Sequence, residues 1–169
     1  MYKRRHQDLL SNKTHGFTLI EMLVTLSIIS ILAAVAIPYA ETAVKRAHEM
    51  ELREALRAIR SSIDRLNQDW KDGKISKLSD TVSNNGYPKT LKVLLEGADS
   101  SGAKDKKLKY LRRIPCDPFA DQTTPAMQQW GLKSYEDDPD SISWGGQDVY
   151  DVYSRSDKKA MDGSLYADW

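Results

Sequence analysis

The apolar positions fall into three regimes along the chain. From Leu19 to Ile37 the sequence is apolar apart from Glu21 and the hydroxyls of Thr25, Ser27 and Ser30. A helix of about 20 apolar residues spans a bilayer, and this run meets that length. After Pro38 the pattern changes without any turn signal. Leu52, Leu56, Ile59, Ile63, Leu66 and Trp70 follow one another at alternating spacings of four and three, the stripe of an amphipathic helix with one face turned to a core. The two stretches predict one helix from about Phe17 to about Trp70, bent or locally melted at Pro38 and stopped by Gly73.

Beyond Gly73 the pattern is short and mixed. Asn84, Asn85, Gly86 and Pro88 form a turn cluster, and Leu91, Val93, Leu94 and Leu95 predict a short packed element ending at Gly97. "ADSSGAKDKK" reads as a flexible, charged loop, and in "YLRRIPCDPF" the prolines Pro115 and Pro118 restrict the chain to a strand end or an extended turn. "WGLKSYEDDPDS" and "GGQDVYDVYSRS" alternate apolar with polar residues. Trp130, Leu132, Tyr135, Val149, Tyr150, Val152 and Tyr153 serve as their strand formers. Two or three short antiparallel strands packed on the helix stripe complete the expected architecture, and no internal repeat is present.

Charge and cysteine usage narrow the class. The chain has 169 residues, a net charge of +1 and 29% charged residues, with no basic excess to suggest a nucleic-acid partner. The distribution is more informative. Lys3, Arg4, Arg5 and Lys13 face a lone Asp8 ahead of Gly16, which by the positive-inside rule keeps that end cytoplasmic and sends everything after Pro38 across the membrane. With Cys116 as the single cysteine, no intrachain disulfide can form; its expected role is that of a buried small hydrophobe.

Glu21 separates the readings of the apolar run. A cleaved secretory signal would need a shorter core before its cleavage site, and an ordinary membrane anchor leaves the acid without a purpose. A carboxylate in a spanning helix is costly and calls for a partner. The stretch "GFTLIE" resembles the processing site of the type IV pilin and pseudopilin superfamily: a short basic leader ending in glycine, then phenylalanine, then glutamate at the fifth mature position. The resemblance implies that a prepilin peptidase cuts between Gly16 and Phe17 and that the new amine of Phe17 is N-methylated. It also makes Glu21 an assembly residue and places Pro38 where many members carry a helix-kinking proline. Cutting before the apolar run keeps it in the mature protein, first as an anchor and then as the core of a filament. There Glu21 can meet the N-terminal amine of a neighbouring Phe17, and pairing makes a buried charge tolerable.

Further along, "GYPKTLKVLL", "LRRIPCDPF" and "DVYDVYSRSD" resemble the major, G-type pseudopilin of type II secretion. After Asp117-Pro118 this sequence departs from that pattern through the longer "FADQTTPAMQQWGLKSYEDDPDSISWGGQ". The resemblance implies an α+β pilin-like fold arranged as a cleaved leader (1–16), a transmembrane and filament-core helix (17–39), an amphipathic stem (40–72) and a globular head (73–169). It further implies a homo-oligomeric helical filament in the inner membrane and periplasm, with minor pseudopilins, prepilin peptidase, an assembly platform and, indirectly, a cytoplasmic ATPase as partners. Major pseudopilins bind calcium in their closing loop. Asp157, Asp162 and Asp168 are the positions that would carry such a structural Ca2+ here, since calcium takes six to eight oxygen ligands; no other cofactor is implied. Glu136, Asp137, Asp138 and Asp140 read instead as turn and capping chemistry.

No catalytic constellation emerges. His6 and His15 fall in the leader, leaving His48 as the mature histidine, and no carboxylate pair has a distinguishing spacing. The sequence thus reads as a structural subunit. A type IV pilus pilin, major or minor, is the alternative within the superfamily, and a membrane-anchored periplasmic enzyme or binding domain the alternative outside it. Pilins often carry a C-terminal disulfide loop, which a single cysteine cannot make.

Overall fold

A computed structural model of the chain describes residues 16–77, 79–102, 106–141 and 143–169. The basic leader, with Lys3, Arg4, Arg5, Lys13, His6 and His15, lies outside the described residues. The chain divides into two compact units, Met1–Thr42 and Ala43–Trp169. Helix α1, Leu19–Lys71, supplies residues to both.

Within the first unit the helix is apolar on every side and its side chains are exposed, from Leu19 at 81% to Ile37 at 60%. No part of its most apolar window is buried, and it is long and apolar enough to cross a membrane. Its hydroxyls bond back to their own backbone: Thr25 Oγ1 to the Met22 carbonyl (3.0 Å), Ser27 Oγ to Leu23 (2.8 Å) and Ser30 Oγ to Leu26 (2.7 Å). That pairing is how hydroxyls are carried in an apolar helix. Pro38 lies inside α1.

In the second unit the predicted stripe is the core. Leu52, Leu56, Ile59, Ile63 and Leu66 are all at most 2% exposed, and Trp70 is packed against them. Burying a side chain of this size is worth about 1.5–3 kcal/mol, so the stripe anchors the whole unit. The helix ends as expected at Gly73, which takes φ 73°. Its N–H bonds the Trp70 carbonyl (3.0 Å) and the next N–H, of Lys74, bonds that of Asp69 (2.9 Å), the paired bonds of a Schellman cap.

The remaining elements cover that stripe. Helix α2 (Lys92–Glu96) places Val93 and Leu94 in the core and stops at Gly97. Strands β1 (Ala98–Asp99) and β2 (Lys107–Leu108) pair antiparallel, Ala98 opposite Leu108. Part of the predicted charged loop is therefore an ordered hairpin. Its base is held by Ala98, which is fully buried, and by the Ser100 N–H on the Lys106 carbonyl (2.9 Å). A short α3 (Ala126–Gln129) leads into β3 (Trp130–Lys133), which pairs antiparallel with β4 (Asp151–Ser154) in the register Trp130 opposite Ser154. Gly131 sits opposite Tyr153, and a Cβ there would come within 2.2 Å of the tyrosine ring; the missing side chain lets the ring lie across the strand. Tyr135, Val149 and Tyr150, predicted as strand formers, flank these strands instead, with Tyr87, Tyr135 and Tyr150 packed ring on ring at 5.1–5.5 Å. A 3-10 turn, Tyr166–Asp168, closes the chain. The architecture is α+β and pilin-like, a long helix with small antiparallel sheets.

Candidate functional site

The candidate processing site precedes the helix. Gly16, Phe17 and Thr18 have no helical backbone, and Phe17 is 80% exposed. Thr18 starts the helix: its Oγ1 accepts the Glu21 N–H (3.2 Å) and its carbonyl accepts the Met22 N–H (3.1 Å). Thr18 therefore acts as an N-cap with Glu21 three residues on, the "TLIE" form of a capping-box pattern. This role for Thr18 was legible as a Thr-x-x-Glu pattern ahead of an apolar run, yet the resemblance had drawn attention to Gly16, Phe17 and Glu21 alone. Because the cap fixes the helix start at Leu19, the Gly16–Phe17 peptide stays outside helical hydrogen bonding. Gly16 has nothing within 4 Å of where a Cβ would stand. A peptidase needs such an exposed, non-helical bond.

Glu21 lies in the first turn, exposed, where the helix dipole favours a negative charge. Among the described residues it makes no ion pair. Pro38 has no N–H to give the preceding turn, while its own carbonyl accepts the Thr42 hydroxyl (2.9 Å).

In the head, Asp157, Asp162 and Asp168 are all exposed. Asp162 Oδ1 accepts both the Ser164 N–H (3.0 Å) and its hydroxyl (2.6 Å), and these bonds hold its carboxyl below the usual range. Among the described residues no group of three or more His, Cys, Asp or Glu side chains is placed to hold a metal ion. As arranged, the three aspartates do not make up a calcium ligand set. The closing segment is held by protein groups that sequence reasoning missed. Glu49 on the stem accepts the Met161 N–H (2.8 Å) and the Tyr166 hydroxyl (3.0 Å). Arg60 donates to Asp151 (2.7 Å), to the Val152 carbonyl (2.9 Å) and to the Trp169 carbonyl (2.7 Å), while the Arg53 guanidinium lies 4.1 Å over the Trp169 ring. None of these three stem residues had a local signal, since their partners lie about a hundred positions away.

Two further expectations meet the structure here. The acidic cluster does serve turns: Asp137 Oδ2 accepts the N–H groups of Ser134 (2.7 Å) and Gly145 (3.1 Å), and Asp138 Oδ1 that of Asp140 (3.0 Å). Cys116, expected to be buried, is exposed. Its neighbour Asp117 is buried in its place, because its carboxylate finds partners inside in the Phe119 N–H and the Ser154 hydroxyl.

An open cavity of about 640 Å³ brings Asp80, Glu136 and Asp148 near Lys77 and Lys89. Asp148 is already engaged, accepting the Tyr135 N–H (2.9 Å), and no cysteine, histidine or paired nucleophile and base lines the wall. His48 packs edge-on against Phe119, 5.9 Å between ring centres.

The exposed apolar helix, its capped start and the small sheets define a membrane-anchored protein of pilin-like build. The family description "Prokaryotic N-terminal methylation motif" matches residues 11–37, which contain the Gly16–Phe17 bond, Glu21 and the whole apolar run from Leu19 to Ile37. This match supports a type IV pilin-like, prepilin-processed protein and points to a structural subunit rather than an enzyme. Among curated proteins and among solved structures no match to the chain was found.

Proposed function

We propose that the chain is a structural subunit of a type II secretion pseudopilus. Prepilin peptidase cuts it between Gly16 and Phe17 and the Phe17 amine is methylated. The subunit then passes from the inner membrane into a periplasmic helical filament that helps folded proteins leave the cell. An assembly platform, minor pseudopilins and, through the platform, a cytoplasmic ATPase act with it. One observation carries this reading. The apolar side chains from Leu19 to Ile37 are exposed on all sides of the helix, and a cut ahead of them would preserve that surface for lipid and then for neighbouring copies. Glu21, without an ion pair among the described residues, would find the Phe17 amine of a neighbour in the same layer.

The pseudopilus is favoured over a surface pilus by the exposed, single Cys116, which can close no loop within the chain. The "GYPKTLKVLL" and "LRRIPCDPF" segments support the major subtype through resemblance. Calcium at Asp157, Asp162 and Asp168 would require the closing loop to rearrange around the ion. The test of the function is expression in a cell whose own major pseudopilin gene has been deleted. Restored release of folded exoproteins with short periplasmic filaments supports the pseudopilus; long surface filaments without restored release assign the chain to a pilus.

A further inference from the structure

The head carries two segments of opposite charge that do not neutralise each other. Between Lys106 and Arg113 there are five cations and no acid; between Glu136 and Asp151 there are six acids and no cation. Lys106, Lys107, Lys109, Arg112 and Arg113 are all exposed, and among the described residues none makes an ion pair within 4.0 Å. Glu96, whose carboxyl is held below its usual range first by Lys92 and then by the charges of Lys107 and Lys109, is bonded to Lys92 at 2.9 Å. On the other segment Glu136, Asp138 and Asp140 are exposed and likewise without an ion pair among the described residues. Lys77 and Lys89 line the cavity that Glu136 edges without reaching it within 4.0 Å.

Both segments are fixed by what lies beneath them. Under the basic one, β2 pairs with β1, the N–H groups of Tyr110 and Leu111 both bond the Leu94 carbonyl (3.0 and 2.9 Å), the Tyr110 hydroxyl bonds Asp69 (3.0 Å) and Ile114 is buried. Apolar residues thus face in and cations face out. The acidic loop is pinned by the Asp137 and Asp138 turn bonds and by Lys133 Nζ on the Pro139 carbonyl. Charges held in place before contact lose little freedom on docking.

We infer that the ridge Lys106–Arg113 is a docking surface for the Glu136–Asp140 loop of a second copy of this chain. The loop fits because it offers exposed carboxylates without an ion pair among the described residues, and its four acids, Glu136, Asp137, Asp138 and Asp140, nearly match the five cations of the ridge. Complementary charge steers and orients such a contact. Since the two patches are different surfaces of one head, the contact is heterologous and propagates from copy to copy. The inference deepens the filament reading and rests on it for its geometry.

The test uses the full chain, processed in membranes, as a mixture of copies with light and heavy nitrogen. A carbodiimide joins contacting lysines to carboxylates, and mass spectrometry identifies the peptides. The expected result is mixed-isotope cross-links between Lys106, Lys107 or Lys109 and Glu136, Asp138 or Asp140, reduced about tenfold when salt rises from about 0.05 M to about 0.5 M. Combined Lys107→Glu, Lys109→Glu and Arg112→Glu should abolish filament yield, as should combined Glu136→Lys, Asp138→Lys and Asp140→Lys. The chain carrying both sets should regain it. Circular dichroism of each variant shows that the head is folded. Folded single-patch variants that assemble like the parent would overturn the inference, as would cross-links confined to one copy. So would a ridge that instead holds the chain to vesicles of anionic lipid, with no mixed cross-link. Mixed cross-links without any filament would leave the contact standing and remove the filament reading.

Discussion

Asp117 offers the sharpest test of how the head is held. Its side chain is fully buried, with no cation within ion-pair distance among the described residues. Oδ1 accepts the Phe119 N–H (2.8 Å) and Oδ2 the Ser154 hydroxyl (2.6 Å), which ties the Pro115–Pro118 turn to strand β4. Gln129 Oε1 accepts the Asp117 N–H (2.8 Å) from the other side. A hydrogen bond to a charged group is worth about 1.5–3 kcal/mol. Asp117→Ala removes two and leaves the buried Ser154 O–H and the part-buried Phe119 N–H without their acceptor, while the relief of a desolvated carboxylate offsets part of the loss. The expected destabilisation is about 3 kcal/mol. Asp117→Asn keeps an acceptor for Phe119 and can donate to Ser154, so its cost is about 1 kcal/mol. Urea unfolding of the full chain in detergent can follow Trp130, which is fully buried and bonded through its indole N–H to the Pro115 carbonyl (3.0 Å). With a slope of about 2 kcal/mol per molar, the alanine variant should unfold about 1.5 M earlier. An alanine variant within about 1 kcal/mol of the parent, or an asparagine variant as damaged as alanine, would refute the reasoning.

Three other outcomes follow from the same geometry. Glu21→Ala should insert and be cleaved normally yet give few filaments; normal filament yield would remove its pairing role. Burial first, and then the bond to Glu49, pushes the Tyr166 hydroxyl up to about 12. The fold therefore holds the neutral phenol. Its contribution is full below the unfolded value of about 10 and is lost as pH rises from there to about 12. Tyr166→Phe should lack this extra loss in the alkaline window, and parallel urea-midpoint curves for parent and variant would contradict it. Calcium and a calcium chelator should give the same unfolding midpoint for the head as it is arranged here; a calcium-dependent rise abolished by Asp157→Asn would restore the ligand set implied by the resemblance.

What the sequence revealed depended on how far apart the interacting residues lie. The helix stripe was legible because Leu52 to Leu66 repeats at helical spacing, and its stop because Gly73 can take a positive φ. Strands β3 and β4 were located to within a few residues by alternation. The β1–β2 hairpin was not, since each strand has two residues and only Ala98 and Leu108 offer an apolar signal among charges. Cys116 was misplaced because residue type favours burial, whereas position decided it: Ile114 and Asp117 turn inward, and the carboxylate finds two donors there. Arg60 and Glu49 look like ordinary surface charges on an amphipathic helix, and only the fold brings their partners to them. At the processing site, Gly16, Phe17 and Glu21 stood out through a short local motif, and Thr18 was overlooked within it.

The central claim, a cut that leaves the apolar helix on the mature protein, is tested most directly by its N-terminus. The full chain would be expressed with and without a prepilin peptidase, and the product's mass and N-terminal sequence read. The expected result is a chain beginning at N-methylated Phe17 with the enzyme present, and at Met1 without it. A chain beginning at Met1 in both cases, or one cut after the apolar run, would contradict it.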